Sequence, residues 1–95
     1  PVAVGLFIRD IGADVYNSVS MYCYSLLSAM VNHAAKLVPL SQIQGQAALA
    51  EAIEHIPEAA RLAMNVDADE LGIGGAGFDL RSMEHEKLYS RIYIS

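Results

Sequence analysis

Lys36-Leu37-Val38-Pro39-Leu40-Ser41-Gln42-Ile43-Gln44-Gly45-Gln46 joins two helical patterns at a sharp corner, and the chain is arranged about it. Pro39 ends the pattern before it, because the residue preceding a proline avoids the helical region. Ser41-x-x-Gln44 is a capping-box pattern, so a new helix should begin at about Ser41. Upstream, residues 15–35 hold no Asp, Glu, Lys or Arg. Val15, Val19, Tyr22, Leu26, Met30 and Leu37 recur at three- and four-residue steps and define one helical face. Tyr16, Cys23, Leu27 and Ala34 lie beside that face and widen it, while Ser18, Ser25, Ser28, Asn32 and Lys36 form a thin polar stripe opposite. So narrow a stripe predicts a long central helix buried on most sides. About 20 uncharged residues are also enough to span a bilayer. Asn17, Ser18, Ser20, Ser25, Ser28, Asn32 and His33 argue against that, since each would carry a polar group into hydrocarbon.

The remaining residues divide around this helix. Residues 2–10 read as the end of a helix stopped at Gly12, and Asp14 in the first turn of the central helix suits its dipole. A third helix is expected from about Ser41 to about His55, with Ile43, Ala47, Ala50 and Ile53 or Ile56 toward the core and Leu49 one step away. Alanines at 47, 48, 50 and 52 favour helix and allow close approach. Pro57 breaks that helix and suits the first position of a short one continuing over residues 58–64. An acidic turn follows, and residues 66–77 read as a flexible linker on their glycine content. Residues 78–88 form a last, more polar helix, and residues 89–95 a tail. The expected fold class is therefore all-α: a helical bundle fragment with a long buried central helix, and a linker before a C-terminal helix and tail.

Composition narrows the function. In 95 residues, 54% are hydrophobic and only 18% charged, against roughly 25% charged in ordinary globular chains. A chain this short buries only about 60–65% of its surface. More apolar surface is present than it can hide, which points to a missing segment, a homo-oligomer or an obligate partner. The opening Pro1-Val2-Ala3-Val4-Gly5-Leu6-Phe7-Ile8 has no basic region ahead of it and reads as a start within a helix, not a signal peptide. The net charge of −5 and the absence of a Lys/Arg cluster argue against nucleic acid and anionic membranes as partners. The lone Cys23 cannot form an internal disulfide, fits a cytoplasmic location, and reads as a small buried hydrophobe.

Catalytic and cofactor signals are weak. Gly72, Gly74 and Gly77 match G-x-G-x-x-G, but an acidic turn precedes them and the ribose-binding acid about 20 residues on is lacking. His33, His55 and His85 have no ligand spacing, and Glu84, His85 and Glu86 point to different sides of a helix. No nucleophile elbow or close Ser/His/Asp set occurs. Asp67 with Asp69, and Glu84 with Glu86, read as solvated carboxylates. No cofactor or metal bound directly by this chain is expected, a metal site shared between chains being the open alternative, and no catalysis. The tail is the more informative surface. Tyr89, Arg91 and Tyr93 alternate with apolar residues, and Tyr and Arg are enriched at binding hot spots. This reads as a docking segment that orders on a partner, the plainer alternative being a tail folded onto its own domain.

Two motifs together resemble the UreF family of urease accessory proteins. One is Lys36-Leu37-Val38-Pro39-Leu40-Ser41-Gln42 with Gly45-Gln46; the other is Met83-x-His85-Glu86-x-x-Tyr89-Ser90-Arg91. The Gly12 break before a long apolar helix fits as well. The resemblance covers the whole chain but only the C-terminal part of the family, whose glycine- and serine-rich N-terminal motif is absent, so residues 1–95 are expected to be the C-terminal part of one all-α domain. It implies a non-enzymatic, dimeric protein that binds UreD (also called UreH) and helps recruit the GTPase UreG. That assembly delivers nickel to apo-urease, whose active-site lysine becomes carbamylated, so nickel and GTP are handled by the partner complex. A regulatory effect on GTP hydrolysis by UreG is also implied. Carried over residue by residue, the partner contacts fall on His85, Glu86, Tyr89, Ser90 and Arg91, with Tyr93 added from the reading of the tail. Lys36, Pro39, Ser41, Gln42, Gly45 and Gln46 are expected to fix the fold. Many family members carry Arg-His-Glu-Thr where this chain has Glu84-His85-Glu86-Lys87. The reading of another class is a helical oligomerisation fragment without a urease role; a small metal or cofactor enzyme has the least support.

Overall fold

The computed structural model describes residues 1–70, 72 and 74–89. The fold is all-α, and no strand occurs among the described residues. Among the described residues five helices follow in order: α1 (Val2–Asp10), α2 (Val15–Leu37), α3 (Gln42–Ile53), α4 (Ile56–Met64) and α5 (Ala76–Glu84). Single 3₁₀ turns lie at Ala68–Glu70 and His85–Lys87.

Each junction has a local cause. α1 stops at Gly12, whose φ of +66° is a conformation that glycine adopts without a Cβ penalty. Gly12 N–H donates to the Arg9 carbonyl and Ala13 N–H to the Ile8 carbonyl, the paired bonds of a Schellman stop. Asp14 stands one residue earlier than expected, as the N-cap of α2: its carboxylate accepts from the Asn17 N–H at 2.8 Å. Ser18, Ser20 and Ser25 return their hydroxyls to carbonyls of the preceding turn, so they satisfy themselves within the helix.

The corner has the expected form. Val38 is extended, and a three-residue turn centred on Pro39 returns Leu40 N–H to the Val38 carbonyl. Ser41 then caps α3 with a full capping box: its hydroxyl accepts from Gln44 N–H at 3.2 Å, and the Gln44 side chain accepts from Ser41 N–H at 2.9 Å. α3 ends at Ile53, two residues before the expected boundary. Pro57 sits at the second position of α4, since Ile56 already begins it. Ala76 and Gly77 belong to the first turn of α5, not to the connection before it.

α3 and α4 both pack on α2. The fully buried apolar side chains among the described residues are Leu49 (6% exposed), Ile56 (7%) and Ala60 (0%), joined by Gly45. This corrects two expectations. First, the core side of α3 runs through Gly45 and Leu49, and Ile43 is 81% exposed. Second, none of the residues of α2 is fully buried. Its half-buried stripe follows Tyr16, Ser20, Cys23, Leu27, Val31 and Ala34, while Val15, Leu26, Met30 and Leu37 face out. Tyr16, Cys23, Leu27 and Ala34 of this stripe are the residues read as flanking the main face, of which Val19 and Tyr22 are half-buried too. An uncharged helix offers apolar residues on several sides, and the direction of the corner selects which of them α3 and α4 meet.

Candidate functional site

Most of the residues singled out around Pro39 come together in space. The last turns of α2 and the first turns of α3 enclose a cleft of about 690 Å³. Asn32 and Lys36 line it from α2, one helical turn apart; Gln42 and Gln46 line it from α3, also one turn apart. Val31, Ala35 and Leu40 supply the apolar part of the wall, together with buried Gly45. A Cβ built on Gly45 would lie 3.6 Å from Val31 Cγ1 and 3.9 Å from Ala35 Cβ. That is ordinary contact, so α3 crosses α2 at close range without requiring a glycine. Among the described residues Lys36 carries the only charge in the lining. Pro39 and Ser41 do not line the cleft; they form the turn and the cap that fix its two walls. In the sequence Asn32 belongs to the thin polar stripe of α2, and Leu40 only to the corner motif. The signal for Asn32 was its four-residue spacing from Lys36, on the side of the helix that the corner folds over.

The C-terminal candidates form a second surface. α5 packs mainly against the 3₁₀ turn that follows it. Its apolar side chains face water: Phe78 is 70% exposed, and Leu80 and Met83 are similarly open. In the turn His85 is half-buried and Glu86 exposed, and Tyr89 beyond it is fully exposed. Ser90, Arg91 and Tyr93 lie outside the described residues. Arg81 Nη1 lies 3.2 Å from Glu84 Oε2, an exposed (i, i+3) pair worth well under about 1 kcal/mol. The acid at position 84 is thus engaged by its own helix. Asp79 turns its carboxylate back toward Gly74: a Cβ there would come within 3.0 Å of Asp79 Oδ2.

An apolar groove of about 490 Å³ lies between α2 and α4, and both Cys23 and His55 reach it. Among the described residues no group of three or more His, Cys, Asp or Glu side chains is placed to hold a metal ion. Gly72, Gly74 and Gly77 do not build a phosphate loop. A 3₁₀ turn precedes them instead of a strand, and Gly77 is helical. Among the described residues no helix is long and apolar enough to cross a membrane.

Comparison with known proteins agrees with the corner motif. The UreF family model matches residues 1–53. The chain is similar to the urease accessory protein UreF of Actinobacillus pleuropneumoniae serotype 5b (strain L20), 33% identical over all 95 residues, which make up 42% of that relative. It is 30% identical over all 95 residues to the UreF of Sporosarcina pasteurii, where they make up 47%. Against the UreF of Geobacillus kaustophilus (strain HTA426) it is 33% identical over 87 residues, 92% of this chain and 39% of the relative. The chain thus spans less than half the length of these curated relatives. With its all-α fold, its capped proline corner and similarity that runs from end to end, the chain belongs to the UreF family of urease accessory proteins.

Proposed function

We propose that these residues serve, within a UreF-type protein, as scaffold or chaperone surface while nickel is inserted into apo-urease. On this reading the protein performs no catalysis. It works as a cytoplasmic homodimer, binds UreD (also called UreH) and helps recruit the GTPase UreG. Nickel is the cargo, and GTP belongs to UreG. The observation that carries the partner-binding reading is the exposed C-terminal segment of a family member. Phe78, Leu80, Met83 and Tyr89 all stand in water. Covering apolar area is favourable by about 25 cal/mol per Å², and an exposed aromatic with a following arginine suits a hot spot. His85, Glu86, Tyr89, Ser90, Arg91 and Tyr93 are the proposed contacts.

The test is co-purification of the intact protein with a UreD homologue, using wild type, a truncation lacking residues 89–95, and Arg91→Ala. Loss of UreD by the truncation, with unchanged far-UV circular dichroism, supports the docking tail. Retained binding by the truncated protein overturns the tail assignment and moves the interface elsewhere. The exposed Val2, Leu6 and Phe7 of α1, with Ile11 just after it, favour a second reading, a helical oligomerisation fragment with no urease role. Self-association of the intact wild-type protein, with no affinity for UreD in the same assay, would select it.

A further inference from the structure

We draw no further inference here: the strongest candidate, the apolar groove between α2 and α4 lined by Cys23, Leu27, Met30, Ala52, Ile56 and Ala59, is an unpartnered face, and nothing in the structure shows what covers it.

Discussion

Gly45 and Ser41 act at the same corner for different reasons. Ser41 satisfies one of the orphan N–H groups of α3 and donates its own N–H to the Gln44 side chain in return. Ser41→Ala should therefore cost about 1 kcal/mol, and Ser41→Asp should recover most of it. Urea unfolding of the intact protein measures both; equal midpoints for all three chains would mean the cap contributes nothing. Gly45 is buried, yet its backbone is helical and an added methyl would meet only ordinary contacts. Gly45→Ala should stabilise by up to about 1 kcal/mol, because alanine is the better helix former. Gly45→Leu should instead destabilise, by roughly 1–3 kcal/mol, since its extra volume would push α3 off α2. A clear loss of stability in Gly45→Ala would show that the helices meet more closely here than 3.6 Å implies.

The elements were legible to different depths. The ends of α1 and α2 and the start of α3 followed from Gly12, Pro39 and Ser41-x-x-Gln44, because stops and caps are written in local residues. The contact face of α3 was not. Ile43, Ala47 and Ala50 recur at helical spacing as convincingly as Gly45, Leu49 and Ala52, and alanine-rich sequence gives little contrast between them. The packing separates the two sets sharply: Leu49 is buried and Ile43 is not. Leu49→Ala should cost about 2–5 kcal/mol through lost contacts and a cavity. Ile43→Ala should change stability by less than about 0.5 kcal/mol where that face meets no partner. Thermal unfolding of the two variants, side by side, decides the register. A larger loss at Ile43 would put the outer face of α3 against another surface in the intact protein.

At the scale of the whole molecule, apolar surface exceeds what these helices can cover. More than half the residues are hydrophobic, yet the fully buried apolar side chains among the described residues are Leu49, Ile56 and Ala60. Each buried large side chain contributes about 1.5–3 kcal/mol, against about 1–2 kcal/mol of backbone entropy for every residue ordered. The Cα radius of gyration is 15.8 Å, wider than the roughly 13 Å of a compact 100-residue domain. Residues 1–95 produced alone should therefore keep helical circular dichroism but unfold over a broad temperature range and bind a hydrophobic dye. Calorimetry checks this. A sharp two-state transition of the monomer would show that the exposed apolar faces need no cover.

The all-α class, the break at Gly12, the proline corner with its capping box, and the family are all readable in the chain, because each rests on short local runs of residues. Packing alone sets which side of α2 meets α3 and α4, that Leu49 and not Ile43 meets the core, and that Asn32, Lys36, Gln42 and Gln46 line one cleft. Those outcomes depend on the angle at which two helices leave Pro39 and on how closely they cross at Gly45. A helix with apolar residues on several sides cannot encode that angle in its own periodicity; contact with its neighbours sets it.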